Sequence, residues 1–291
     1  MTVRISALVN TLNEAHNIRF ALGTLLPWCD EVIVVDQGSE DGTAEICRGM
    51  GARVVTYPRT GFVETARAFG VEQATGDWIL ILDADEMIPK ALGRWLRDAV
   101  EQDPDVDVFL VARANVIFGR RMLHGTNWPS RRARFFRRGT MTISGRIHHG
   151  LAPVAGARLR NVPPGLELAI WHFSYPDVAT LVEKVNRYTT IEAQQAAERG
   201  ERPPRSARPF LLSAARWFWR SYLRDRGYRD GTGGLILAVS RAYYRFLRAA
   251  KAWERPRVAA RQAEVLAVRE RLVREYQTLD SAHRDRATTS A

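Results

Sequence analysis

Lysine is nearly missing from this chain: of its 43 basic residues, only Lys90, Lys184 and Lys251 are not arginine. Cysteine is as scarce. Cys29 and Cys47 are too few for a disulfide framework and make no metal-ligand spacing, which fits a reducing cytosol. No stretch reaches the roughly 18 to 20 uninterrupted apolar residues of a membrane-spanning helix. The apolar run after Arg4 meets Asn10, Asn13 and Glu14 too soon to be the core of a signal peptide. These absences exclude a disulfide-stapled secreted domain and a spanning protein as expectations. What is present is a 291-residue chain, 46% hydrophobic and 26% charged, enough for one large domain or a domain with an appendage. Its net charge of +11 has two candidate origins: a codon bias toward arginine, or an anionic partner such as a nucleotide, a phospholipid surface or nucleic acid.

The first hundred residues alternate strand and helix. Apolar runs at Ile5 to Thr11, Glu31 to Asp36, Arg53 to Tyr57 and Trp78 to Leu82 read as strands buried on both faces of a parallel sheet. Helices are expected from Asn13 and Glu14 to about Leu26, from Asp41-Gly42-Thr43 to Met50 (Asp41 or Thr43 as N-cap), and from Gly61 to Ala74. That alternation predicts a Rossmann-like, doubly wound α/β layer, with its ligand site at the carboxyl ends of the strands. Shorter strand candidates follow at Val108 to Arg113, Arg134 to Arg137 and Met141 to Ile147, and the chain turns helical from Asp177. The expected division is 1–175, an α/β domain; 176–256, a helical region; and 257–291, a terminal helix and tail.

Acidic residues follow three of the parallel strands: Glu14 the first, Asp36 the second, and Asp83 with Asp85 the fourth. Strand ends of a doubly wound sheet share one edge, so these carboxylates converge. Two unit charges 4 Å apart repel by about 4 kcal/mol at an effective dielectric of 20. A divalent cation, Mg²⁺ or Mn²⁺, bridging to a diphosphate removes that penalty. An Asp-x-Asp turn suits it, with one carboxylate on the metal and the other free to accept from ribose hydroxyls. The same residues also fit a simpler role, capping the helices that follow.

The stretches Thr11-Leu12-Asn13-Glu14, Val35-Asp36-Gln37-Gly38-Ser39-Glu40-Asp41-Gly42-Thr43 and Gly76-Asp77-Trp78-Ile79-Leu80-Ile81-Leu82-Asp83-Ala84-Asp85-Glu86 resemble, in order and spacing, the successive motifs of family-2 glycosyltransferases with the GT-A fold. The resemblance implies a mostly parallel GT-A sheet with a helical C-terminal region. It implies a nucleotide site of Thr11, Asn13, Glu14, Asp36, Gly38, Ser39, Arg67, Asp83 and Ala84, with Asp36 on the base (usually uracil). Asp83 would face ribose, and Asp85, with Asp83 beside it, would hold the metal. It also implies an inverting transfer, which needs a general base for the acceptor hydroxyl. The expected location is Ser144 to Gly150. In lipopolysaccharide-core β-1,4-glucosyltransferase-like proteins, the subgroup this chain is most similar to, the corresponding stretch usually reads His-Glu. Here His149 stands where that Glu is expected, so His149, His148, Glu86 and Asp177 are all candidates. His172, between Trp171 and Phe173, reads first as a core histidine and second as a late metal or phosphate ligand. The run Arg131, Arg132, Arg134, Arg137 and Arg138 is either a solvated loop or a grip on an anion.

In the C-terminal third, Phe210, Leu211, Ala214, Ala215, Phe218 and Tyr222 share a helical face, with Arg216, Arg220 and Arg224 on another. Leu235, Val239, Tyr243, Phe246 and Ala250 repeat the design against Arg241, Arg245, Arg248 and Lys251. Aromatic-rich apolar faces beside basic ones suit a helix lying on anionic lipid. Segments such as Arg226 to Gly231 resemble the same subgroup. The expected partners are therefore a UDP-sugar, a glycolipid acceptor and an anionic membrane surface, at the inner face of the plasma membrane. Nucleic acid is not expected, since gathered carboxylates repel phosphate. A metal-dependent nucleotidyltransferase and a catalytically inactive nucleotide-sugar-binding module are the rival readings.

Overall fold

The computed structural model describes residues 3–59, 64–143, 151–203, 206 and 208–289. Twelve strands lie among them. The amino-terminal ones are β1 (Ile5–Thr11), β2 (Glu31–Asp36), β3 (Arg53–Thr56), β4 (Trp78–Asp83) and β5 (Glu86–Met87). They are followed by β6 (Val108–Ile117), β7 (Arg120–Met122), β8 (Ser130–Arg137), β9 (Met141–Ile143), β10 (Leu151–Pro153), β11 (Leu159–Asn161) and β12 (Ile170–Phe173). The helices are α1 (Ile18–Leu25), α2 (Thr43–Gly49), α3 (Glu64–Gln73), α4 (Lys90–Gln102), α5 (Val178–Glu198), α6 (Arg208–Phe218), α7 (Gly231–Glu254) and α8 (Val258–Thr289).

The main sheet runs β3-β2-β1-β4-β8-β6-β12-β5, with β7 and β11 also on β6. Its first four strands are parallel, as the apolar runs require: every residue of β1 is buried, as are all but the first of β2. Beyond β4 the sheet becomes mixed, since β8 is antiparallel to both β4 and β6 while β12 is parallel to β6. Two apolar layers sandwich it. On one side α1 and α4 supply Ile18, Leu22, Leu25, Leu92 and Leu96; on the other Ala66 of α3 joins Leu8, Ile33, Val35 and Ile81. The second layer needs a glycine in α3: a Cβ on Gly70 would stand 2.3 Å from a Leu8 methyl and 2.9 Å from one of Val35.

Two expectations change in detail. The first helix starts at Ile18, because Asn13 takes a left-handed conformation (φ 55°) and Glu14 lies in the turn that follows. The N-cap position of α2 belongs to Gly42, at φ 86°, while Asp41 accepts from the Thr43 N–H at 3.1 Å.

The chain forms two compact units. The first comprises 1–185 and 216–242; the second comprises 186–215 and 243–291. In the second, Glu192 accepts from the Tyr244 hydroxyl at 2.6 Å and pairs with Arg248 at 3.0 Å. Lys251 donates to the Asn186 carbonyl at 2.7 Å, and Phe210 meets Phe246 edge to face. Of the apolar face expected on α6, Phe210 is buried while Leu211 is exposed; residues 219–224 form a π-helical turn. Among the described residues, no helix is long and apolar enough to cross a membrane.

Candidate functional site

The register of the parallel strands assembles the site. Thr11 pairs with Asp36, and Asn10 with Asp83, so the ends of β2, β1 and β4 stand side by side at the about 4.8 Å interstrand spacing. The loops beyond are tied together. The Asn13 N–H donates to Ser39 Oγ at 2.9 Å, and its side-chain Oδ1 accepts from the Glu40 N–H at 2.8 Å. Glu14 N–H donates to Thr43 Oγ1 at 2.9 Å, and Ala15 N–H to Asp41 at 3.0 Å. Asn tolerates the left-handed turn that this stitching requires. Gly38 (φ 81°) then lets the chain fold back so that Ser39 donates both its N–H, at 3.1 Å, and its hydroxyl to Asp36. The first two sequence motifs are therefore the two halves of one stitched loop pair.

Asp83 is gripped from two sides. Arg67 on α3 donates to one oxygen, and Arg134 donates to the other at 2.8 Å. Arg134 reaches it through a β-bulge: Phe109 faces Phe135 and Leu110 faces Ala133, leaving Arg134 unpaired in the β6–β8 ladder. Burial opposes the charge on Asp83, yet Arg134 and Arg67 outweigh it and hold its carboxyl well below the usual carboxylate range. Arg134 also contacts Glu86 at 3.3 Å, as does Arg113, and Glu86 accepts from the Asp83 N–H at 2.9 Å. Glu86 has no exposed surface. It braces the Asp-x-Asp turn, with Arg113, Arg134 and the Asp83 N–H around its carboxylate, a poor setting for a general base.

Asp85 is positioned by a strand pair that sequence reasoning missed. In the β5–β12 pairing His172 stands opposite Glu86, and the Phe173 N–H donates to the Asp85 carbonyl at 2.9 Å. His172 Nε2 consequently lies 3.4 Å from Asp85 Oδ2. Burial would raise Asp85, but the His172 ring, by charge and by hydrogen bond, holds it below its ordinary value. Burial lifts the Glu14 carboxyl; a hydrogen bond from Asn17 works against this, and the nearby Asp85 charge adds to it. A carboxylate and an imidazole at one edge are a donor pair suited to Mn²⁺ or a similar cation. Among the described residues no three His, Cys, Asp or Glu side chains gather as a metal cage, so a bound cation would complete its shell from diphosphate oxygens and water. Around this edge several buried polar atoms have no partner among the described residues: both amide atoms of Asn10, Thr11 Oγ1, Arg67 Nε and Arg134 Nη1. Buried polar atoms normally pair, so these fit an edge shaped for a polar ligand. Asn10 belongs with the site residues; only its place at the end of a buried strand could have pointed to it.

Ala84 is buried between the two aspartates. His148 and His149, with the rest of the 144–150 segment, lie outside the described residues. Asp177 is exposed and accepts from the Thr180 N–H at 2.7 Å, capping α5. The arginine run splits. Arg134 is internal, Arg137 donates to the Pro104 carbonyl at 2.7 Å, and Arg138 approaches the Ala74 carbonyl.

A sheet parallel through β3-β2-β1-β4 and mixed beyond, with acidic residues at the ends of β1, β2 and β4, is the GT-A glycosyltransferase architecture. The model of glycosyl transferase family 2 matches residues 6–159, over half of the chain. The lipopolysaccharide core biosynthesis glycosyltransferase LpsC of Rhizobium meliloti is 30% identical over 264 residues, covering 88% of this chain and 94% of that protein. A glycosyltransferase of Rickettsia bellii is 28% identical over 265 residues, covering 86% of each. The chain belongs to glycosyl transferase family 2 and is a glycosyltransferase. Among solved structures, glucosyl-3-phosphoglycerate synthase from Mycobacterium tuberculosis, in complex with Mn²⁺, UDP-glucose and phosphoglyceric acid, is 27% identical over 39% of this chain and 44% of that one, with a TM-score of 0.34.

Proposed function

We propose that this protein is an inverting glycosyltransferase that moves a sugar from a UDP-sugar to a hydroxyl of a lipid-linked glycan of the lipopolysaccharide-core type. The observation that carries the donor half is the pairing of Thr11 with Asp36 and of Asn10 with Asp83, which gathers carboxylates and partnerless polar atoms on one edge. Asp36 would accept from the base. Thr11, Asn13, Glu14, Gly38, Ser39 and Ala84 would line the nucleoside, with Asp83 toward ribose. Both oxygens of Asp83 already accept from arginine, which favours Asp85 and His172 as the residues that would hold Mg²⁺ or Mn²⁺. Such a cation supplies Lewis acidity toward the leaving diphosphate. His149, with His148 as its neighbour, is the general base in this reading, and a neutral imidazole is suited to the task at neutral pH.

The acceptor half rests on similarity to LpsC and on surface chemistry. In the first unit, Trp219, Leu223, Tyr228, Leu235 and Val239 are all exposed, alongside Arg216, Arg220 and Arg224. Aromatic and aliphatic side chains set beside arginines suit the interface of an anionic bilayer. We assign residues 176–256 to the acceptor and the inner face of the plasma membrane, with 257–291 as a terminal appendage. The first test is calorimetric titration with UDP, GDP, CDP and ADP, with and without Mn²⁺, on the wild type and on Asp85→Ala. Metal-dependent preference for UDP that Asp85→Ala abolishes is the expected result. Absence of binding to any of the four with Mn²⁺ present would overturn the donor assignment.

A further inference from the structure

His172 is held by a chain of hydrogen bonds that ends at a half-buried arginine. His172 Nδ1 lies 2.8 Å from Asn115 Oδ1, and Asn115 Nδ2 donates to the Asn127 carbonyl at 3.1 Å. The Asn127 side chain accepts from Arg241 Nη2 at 2.7 Å and donates to the His124 carbonyl at 3.0 Å. Arg241 Nη1 donates to Ser221 Oγ at 2.9 Å. Asn115, Asn127 and Ser221 are almost fully buried.

The direction of every link follows from its ends. A guanidinium only donates and a backbone carbonyl only accepts. Arg241 and the His124 carbonyl therefore fix which way the Asn127 amide points. The Asn127 carbonyl fixes Asn115, whose Nδ2 must face it. Asn115 Oδ1 is then left for His172, so Nδ1 carries a ring proton and Nε2 is the ring nitrogen on the Asp85 side. Arg241 has no carboxylate within ion-pair distance among the described residues. Drawing a cation even partly out of water without an ion-pair partner is unfavourable, so pairing energy does not explain its place; orienting the chain does.

We propose that Asn115 and Arg241 are positioning residues for the metal-holding histidine: Asn115 sets the tautomer of His172, and Arg241, through Asn127, sets the orientation of Asn115. This rests on the reading of Asp85 and His172 as the metal-holding pair. It adds that α7, which carries the exposed Leu235 and Val239, reaches the donor site through Arg241.

The test measures two quantities. One is the affinity of the protein–UDP complex for Mn²⁺, from the electron paramagnetic resonance signal of free Mn²⁺. The other is the ring ¹⁵N shifts of His172 in the metal-free protein. Outer-shell partners of a ligating histidine typically carry about 10- to 100-fold in metal affinity. Asn115→Leu is expected to weaken Mn²⁺ by that factor and to lose the single Nδ1–H tautomer. Asn115→Asp, which keeps an acceptor at Nδ1 but loses the donor to the Asn127 carbonyl, is expected to retain the tautomer and to weaken Mn²⁺ less than Asn115→Leu. Arg241→Met is expected to shift in the same direction as Asn115→Leu, and Arg241→Lys less. Wild-type tautomer and Mn²⁺ affinity in Asn115→Leu, or in Arg241→Met should Asn115→Leu fail to fold, overturn the proposal while the donor-site reading stands. Unchanged Mn²⁺ affinity in His172→Ala overturns the donor-site reading and the proposal with it.

Discussion

Replacing Arg134 by Met should destabilise the protein by about 3 kcal/mol at neutral pH. Arg134 is 92% buried as a side chain (8% exposed) and spans two carboxylates, Asp83 at 2.8 Å and Glu86 at 3.3 Å, the second with no exposed surface. Removing one partner of a buried ion pair typically costs about 3 to 5 kcal/mol, because a charge is left uncompensated. The lower end applies here, since Asp83 keeps Arg67 and Glu86 keeps both Arg113 and the Asp83 N–H. For a unit of this size the loss corresponds to a drop in Tm of roughly 6 to 12 °C. Urea unfolding gives the free energy, and Arg158→Met is the control. Arg158 and its partner Asp105 are 3.0 Å apart but 58% and 77% exposed, and such pairs contribute less than about 1 kcal/mol. The pH dependence sharpens the test. The depressed folded-state value of Asp83 stabilises above the ordinary carboxylate value of about 3.9, and this contribution is lost as pH falls through the lower folded value. Without Arg134 that depression shrinks, so the gap between wild type and variant should be full at pH 6 to 7 and should narrow below pH 4. A cost equal to that of Arg158→Met, or one that does not change between pH 7 and pH 3, would refute the reasoning.

Further outcomes follow from the same geometry. Gly70→Ala places a Cβ 2.3 Å from a Leu8 methyl and should cost about 1 to 3 kcal/mol by overpacking, read by urea unfolding. Asn13→Ala should cost about 2 kcal/mol, from left-handed strain of about 1 and one lost hydrogen bond of about 1. It should also weaken UDP by calorimetry, since both loops of the donor edge hang on it. Trp219→Ala with Leu223→Ala should reduce partitioning onto phosphatidylglycerol vesicles by about tenfold or more, with added salt weakening the wild type as well; equal sedimentation of both proteins with vesicles would remove the membrane assignment.

The parallel half of the sheet was legible because its code is local. Continuous apolar runs can only be buried strands here, and each acidic residue sits a fixed step beyond the strand it ends. Thr11, Asp36 and Asp83 could be brought together from topology alone, since parallel neighbours align their carboxyl ends. Arg67 could be named only through the resemblance, although its contact with Asp83 needs just one turn of α3 in reach of β4. The mixed half was not legible in the same way. β5 and β7 are two and three residues long, too short for a periodic signal, and β12 (Ile170–Phe173) contains Trp171-His172-Phe173, where aromatic neighbours read as core packing. The basic face assigned to α7 shows the same limit. Arg241 keeps the helical spacing of Arg245 and Arg248, yet it turns inward to Asn127 and Ser221.

That division has a physical reason. The donor edge is built by strands that carry their own chemistry at their ends, so a motif and its function share a few residues. The other wall is built by partners that have no meaning alone. His172 moves from core residue to preferred ligand because β12 pairs with β5, which brings Asp85 to within 3.4 Å. Glu86 stops being a candidate base only because the bulge at Arg134 fills its surroundings with guanidinium. One residue rises and its pairing partner across the ladder falls for the same cause: the turn after β4 crosses to the far edge of the sheet, and the chain after Asp107 decides what waits there.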